Sequence, residues 1–312
     1  MNIKLSKNQL KNFLNQSRST KLIGTTAVTL SLASLNLSIP SVSATASCPP
    51  VNLGLAGDYA ILATTTKLSM SNSQTSIGTA GTNGNVGLGP KATQNFSQGQ
   101  IQGTFFVDPT ANNSKSSNVV FHNGTQIKDL SPAVAAVQQA VTQASSLTPT
   151  QTFDTINNYT NISSTGSVNV IAITNKIQLS GQTLTFQGSA SDYFIVNVAG
   201  DVNLSGSSQI LVSGGLTPAN VLFNVGGKVA QSGDSIVNGT FLVPNGTVSN
   251  ASANFYGAIY APEIALSGGA GVDGYRGIPF GTGLTSSCST DTTTLGETQS
   301  TSTQTTSIIY AD

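Results

Sequence analysis

Tryptophan is absent from the 312 residues, histidine occurs once, cysteine twice, and only 8% of positions are charged. Each shortage removes a class of chemistry. A nucleophilic hydroxyl or thiol needs a base beside it. The single histidine, His122, lies in the polar stretch FHNGT with no cysteine and no Gly-x-Ser-x-Gly elbow next to it, so it reads as a loop residue. Glycoside hydrolysis needs two carboxyl groups about 5 to 9.5 Å apart. Here Asp58, Asp108, Asp129, Asp154, Asp192, Asp201, Asp234, Glu263 and Asp273 are scattered singly. Stacking could bring Asp192 to Asp234, but aspartates in turns ordinarily bond nearby backbone. Domains of average composition carry about 25% charged residues, so this chain relies on hydroxyls and amides for solubility. Low charge also accompanies disorder, yet the runs FIVNV, NVLFNV and TFLVP are too apolar and β-branched for that.

The first 44 residues read as an export signal. Lys4, Lys7, Lys11, Arg18 and Lys21 form a basic segment, Leu22 to Ile39 is apolar with interspersed Ser and Thr, and small residues surround Ala44 and Ala46. A transmembrane anchor is the rival reading, weakened by the polar interruptions. Removing the segment leaves seven Lys or Arg against twelve Asp or Glu, a net charge of about −5, which argues against nucleic acid as a partner. No membrane span is expected in the mature chain, and a monomer is the expected state. Cys48 and Cys288 could pair in an oxidising compartment; lipidation of Cys48 is the alternative. Beyond Phe280 the chain is almost all Ser, Thr, Gly and Gln, with SIIY at 307–310 the one apolar run, so 281–312 reads as a flexible tail.

Between Cys48 and Phe280 the chain is periodic. IQLSG (177–181), VNLSG (202–206) and IALSG (264–268) share one phrase, and FIVNVAGDV and VLFNVGGKV share another, 27 residues apart. VNGTFLVP and FYGAIYAP repeat at 18 residues, with an upstream relative in IQGTFFVDP (101–109). Such intervals fit one rung of a solenoid holding two or three short strands. Gly239 and Gly257 are then corner residues, FLV and AIY buried strands, and Pro244 and Pro262 strand ends. One segment departs from this pattern. DLSPAVAAVQQAVTQASSL predicts a helix over about 131–146, with Ser131 as cap, Pro132 in its first turn and an apolar stripe of Val134, Val137, Val141 and Ala144.

With VNLGLAGDYAILA (51–63), GTNGNVGLGP (81–90) and a helix in this position, the chain resembles the bacterial ice-binding-like family over about residues 51–280. The second half, with NVLFNV, VNGTFLVPNGTV, FYGAIYAPE and GYRGIPF, also resembles choice-of-anchor A surface proteins. The resemblance implies an all-β domain at 49–280, a right-handed discontinuous parallel β-solenoid (β-helix) with one long α-helix packed alongside. From the residues weighed above, no catalytic residue, no metal and no cofactor is expected. GGAGVDGYR (268–276) matches the calcium-binding nonapeptide pattern once, but calcium needs six to eight oxygens from adjacent repeats, so a terminal glycine-rich turn is the simpler reading.

Recognition would then fall to exposed hydroxyls and amides. Thr183, Thr185, Asn203, Ser205, Thr247 and Ser249 are the candidates, with Thr64-Thr65-Thr66 offering the same alternation. The expected partner is an extended extracellular surface: a matrix polymer or a cell surface, as in adhesion, or alternatively ice. A carbohydrate-active enzyme is a third reading. Regular ranks of Thr, Ser and Asn across at least three neighbouring rungs would favour ice, and an irregular or aromatic-bearing face would favour adhesion.

Overall fold

The computed structural model describes residues 49–78, 84–114, 118–268, 275–276 and 279–281. The export segment, Cys48, Cys288, most of GGAGVDGYR and the tail beyond Gly281 lie outside the described residues. Among the described residues no helix is long and apolar enough to cross a membrane.

Alternation and length dictate the strands. Val168–Ser180 runs along one face over 168–173, bends, and runs along a second face over 177–180. Thr183–Gln187 forms the third face, and Tyr193–Val198 returns to the first. Strands of successive circuits pair in parallel and in register: Phe194 lies beside Val221, Leu222 beside Thr240, and Phe241 beside Ile259. The expected parallel β architecture is therefore present, with a single long helix among the described residues. Side chains that point inward form one continuous apolar column set, including Ile171, Val196, Phe223, Phe241, Ile259 and Ile61, all fully buried.

The order of rungs is not the order of the chain. On the first face it runs Gln151–Ile156, Val168–Ser180, Tyr193–Val198, Val221–Val225, Thr240–Leu242 and Ile259–Ser267, and then Ile61–Met70, Val86–Leu88, Phe105–Val107 and Thr125–Ile127. The first strands of the chain thus lie beside its last ones, and the helix α1 (Ser131–Ser146) carries the chain from one end of the stack to the other. The seam is the pairing of 61–63 with 259–261 and of 67–70 with 263–266.

Two repeated phrases stack as expected. VNGTFLVP and FYGAIYAP are consecutive rungs, with Val237 beside Phe255 and Phe241 beside Ile259. Gly239 and Gly257 sit at the corner between faces with φ of 135° and 154°. A Cβ on Gly257 would overlap the Gly239 carbonyl oxygen, so close approach of backbones fixes the residue type. The Leu-Ser-Gly phrase ends at a second corner, where Gly181, Gly206, Gly233 and Gly268 all have positive φ and Ser252 takes the same conformation at 60°. VAQSG (229–233) is a further copy of this phrase, disguised because Gln231 stands where leucine is the rule.

Three expectations change in detail. Pro262 lies inside the continuous strand Ile259–Ser267 rather than at its end. It occupies the bend between the two faces, where the ladder to Ile61–Met70 shifts register and no backbone donor is needed. Ser131 does not cap the helix. Leu130 is the capping residue and makes no side-chain cap. The nearby N–H groups go instead to carboxylates, Leu130 N–H to Asp108 Oδ2 at 3.0 Å and Ser131 N–H to Asp129 Oδ1 at 2.9 Å. The helix's buried stripe is Ala133, Val137, Ala140 and Ala144, with Val134 and Val141 only partly covered. Alanine lets α1 approach a sheet face already crowded by Tyr193, Ile195, Leu222, Leu242, Tyr260 and Leu62. This helix-side layer is a second core, separate from the column inside the stack.

Candidate ligand-binding faces

Among the described residues the helix and the segment 51–59 cover the first face, which leaves the second and third uncovered. On the second face, inward positions are Leu179, Leu204, Gln231, Asn250, Leu266 and Met70, aligned by register. Gln231 and Asn250 are buried amides. Asn250 Nδ2 donates to Gln231 Oε1 at 3.0 Å, and Gln231 Nε2 donates to the Asn254 carbonyl at 3.1 Å. Buried amides with partners are tolerated, and these two tie the sheet to the corner at 250–254.

The outward positions of the same strands form a continuous rank: Gln178, Asn203, Ala230, Ser249, Ala265, Ser69 and Asn95, each paired with the next. Two residues further along lie Ser180, Ser205, Ser232, Ala251 and Ser267. None of these side chains is aromatic, charged or β-branched. Neighbouring rungs are about 4.8 Å apart and alternate positions along a strand about 6.6 Å apart, so the two ranks form a regular grid. A shallow trough of about 450 Å³ runs between them over Leu179, Leu204 and Gln231. On the border row Lys67 Nζ meets Glu263 Oε1 at 2.6 Å, and Thr247 and Thr93 flank them.

The third face differs. Its outward rows read Thr183, Gln209, Ile236 and Asn254, and Asn161, Thr185 and Leu211, with Asn238 beside Tyr256. Leu211, Ile236 and Tyr256 interrupt the polar pattern. Several amides are already engaged, Asn161 Nδ2 with Gln187 Oε1 at 3.1 Å and Asn238 Nδ2 with the Ile210 carbonyl at 2.8 Å.

The six candidate residues therefore divide between two faces. Asn203, Ser205 and Ser249 belong to the grid on the second face, Thr247 to its charged border, and Thr183 and Thr185 to the third face. The other grid positions, among them Ala230, Ala265, Ser69, Ser180, Ser232 and Ser267, were not picked out from the sequence. Alanines carry no polar signal, and Ser69 and Ser267 lie 198 positions apart on strands that meet only at the seam. Thr64, Thr65 and Thr66 occupy the register shift between Ala63 and Lys67, so they form a bend and not a rank.

Asp192 and Asp234, considered as a pair, do not come together. Asp192 accepts from Ser189 N–H at 2.8 Å at the corner between third and first faces, whereas Asp234 lies at the corner between second and third. They remain separate turn residues. Burial raises the Asp192 pKa, but the donors from Ser189 and Ser164 outweigh it and hold the carboxyl below its ordinary value. His122 is exposed, with Nε2 3.3 Å from Gln100 Oε1. Among the described residues no group of three or more His, Cys, Asp or Glu could hold a metal ion.

A family model described as ice-binding-like matches residues 67–270. The chain belongs to the ice-binding-like family. Solved structures agree on the fold. An ice-binding protein from an Antarctic biological consortium shares 17% identity and a TM-score of 0.51 over 71% of this chain and 89% of the other. A glycosylated ice-binding protein from an Arctic yeast shares 19% and 0.51 over 70% and 91%. An ice-binding protein from an Antarctic bacterium of the Flavobacteriaceae shares 21% and 0.52, covering 71% of this chain and 46% of that one. No curated protein matches the chain. These likenesses bear on the ice-binding-like resemblance; the choice-of-anchor A resemblance is not among them.

Proposed function

We propose that this ice-binding-like chain is an exported, non-enzymatic protein that binds ice through its second face, on a right-handed discontinuous solenoid scaffold. The observation that carries the reading is the outward rank from Gln178 to Asn95, seven consecutive rungs without an aromatic, charged or β-branched side chain. A crystalline surface is periodic, rigid and extended. A ligand of that kind is matched by groups at fixed spacing on a face that does not rearrange, since ordering flexible side chains would cost about 0.5–1.5 kcal/mol each. Serine hydroxyls and short amides can order water at grid points, while the alanines leave room for it. Membership of the family and the ice-binding relatives support this reading above adhesion.

Growth of single ice crystals in solutions of purified residues 45–312, with thermal hysteresis and recrystallisation measured alongside, tests it. Faceted crystals and slowed recrystallisation are expected; round crystals at high protein concentration would sink the proposal. The third face, irregular and bearing Tyr256, Leu211 and Ile236, supports a second reading, adhesion to a matrix polymer. Co-sedimentation with insoluble neutral polysaccharide checks it independently of ice.

A further inference from the structure

Beneath the outward ranks, the inward column of the second face reads Leu179, Leu204, Gln231, Asn250, Leu266 and Met70. Gln231 and Asn250 are 3% and 1% exposed. Leucine fits this column on either side of them, and burying an amide costs more than burying an alkyl group. The corner beside them changes length from rung to rung. Leu204 and Gln209 are linked by 205–208, Gln231 and Ile236 by 232–235, and Asn250 and Asn254 by 251–253. The last link is one residue shorter, although the strands on both sides keep their register. Conformation identifies the missing residue. Gly206 and Ser207, and Gly233 and Asp234, are consecutive left-handed residues, whereas Ser252 stands alone in that conformation.

The two amides sit at this step and use every donor they have. Asn250 Nδ2 donates to Gln231 Oε1 at 3.0 Å and to the Ala253 carbonyl at 3.4 Å. Gln231 Nε2 donates to the carbonyls of Ser235 at 3.4 Å and Asn254 at 3.1 Å. Asn250 Oδ1 accepts from the Ala253 N–H at 3.2 Å. The pair thus engages backbone groups of two corners of unequal length. A like change of length separates 180–182 from 205–208. A side-chain amide is engaged there too, with Ser180 N–H donating to Gln182 Oε1.

We propose that Gln231 and Asn250 are positioning residues that take up the missing corner residue and hold the outward ranks in line across this step. Ala230 and Ser232 flank Gln231 in the chain, and Ser249 and Ala251 flank Asn250. Ala230 pairs with Ser249 and Ser232 with Ala251, in the middle of the grid. A face that matches a rigid, periodic ligand needs its supporting layer fixed as well as its contact atoms. The proposal rests on the ice reading for what the grid binds, but the hold of the amides on the corner does not.

Three proteins test it: the parent, the double variant Gln231→Leu with Asn250→Leu, and a corner replacement. The last combines Gln231→Leu with a copy of 204–208 in place of 250–253, which supplies the missing residue. Folding by circular dichroism, amide exchange at 251–254 and thermal hysteresis are measured on each. In the double variant the Ala253 amide should exchange roughly three- to tenfold faster, as loss of one hydrogen bond implies. Its hysteresis should fall although it remains folded at the freezing point, and the corner replacement should restore both properties. A double variant that shapes ice as the parent does would overturn the positioning role. Unchanged exchange would show that the amides do not hold the corner. If the double variant does not fold, the corner replacement still decides, because it carries neither amide; its failure to fold or to shape ice would overturn the proposal. A parent that shapes no ice sinks the ice reading alone, since amide exchange in the other two proteins is read without ice.

Discussion

On the second face the outward side chains of Ala230, Ser249, Ala265 and Ser69 end at Cβ or one atom beyond it, so the backbone grid sets the shape of the surface. A long side chain there would hold a flat solid away over several rungs. Ala265→Tyr is expected to abolish ice shaping while changing stability by less than about 0.5 kcal/mol, because the position is not buried. Thr185→Tyr, on the third face, should leave ice shaping intact. Ice-crystal morphology and urea unfolding of both variants check this, and the ice reading fails if the two behave alike. At this scale the site was half legible. Asn203, Ser205 and Ser249 announce themselves as polar residues in repeated phrases. Ala230 and Ala265 do not, because their value lies in what they leave open, and Thr183 and Thr185 look equally suitable until the register puts Leu211 beside Thr185 and Ile236 one rung beyond Gln209, the neighbour of Thr183.

The helix shows what an element owes to residues outside it. Its span was readable from Pro132 and the apolar spacing, and 131–146 is what the structure has. What caps its start was not, because Asp108, 22 positions upstream of Leu130, supplies an acceptor there. Thr110 holds the same carboxylate, N–H at 2.9 Å and Oγ1 at 2.6 Å. Burial pushes the Asp108 pKa up, but the donors from Thr110 and Leu130 prevail and set it below the ordinary value. A depressed carboxylate stabilises the fold above its unfolded pKa, and that contribution is lost as pH falls through the folded value. Urea midpoints measured at neutral pH and at pH near 2 should therefore fall more in the parent than in Asp108→Asn. At neutral pH the variant should be less stable by about 1–3 kcal/mol, since an amide can keep only part of the hydrogen bonding. An identical acid dependence in both proteins would show that Asp108 does not hold the helix entry.

For the whole molecule, the seam decides whether two stretches of chain behave as one body. The repeats at 18 and 27 residues made the rungs legible, because each rung must repeat its own inward pattern. Which rung lies next to which is another matter. Ile61 and Ile259 are both buried β-branched residues, interchangeable with many others, and nothing local marks them as partners nearly 200 positions apart. In a stack each rung touches only its neighbours, so stability approximates a sum of rung and interface contributions. The interface between Ile61–Met70 and Ile259–Ser267 then couples the two halves. Leu68 is fully buried there beside Ile264, and its contacts cross the seam. Leu68→Ala is expected to cost about 2–5 kcal/mol. It should also broaden the urea transition and lower its slope, as the rungs of the N-terminal half, Val86–Leu88 and Phe105–Val107 among them, unfold ahead of the rest. Val196→Ala, equally buried but inside the C-terminal half, should shift the midpoint with the slope retained. Amide exchange would place the early opening in residues 61–127; uniform exchange across both halves would mean that the stack unfolds as one unit regardless of the seam.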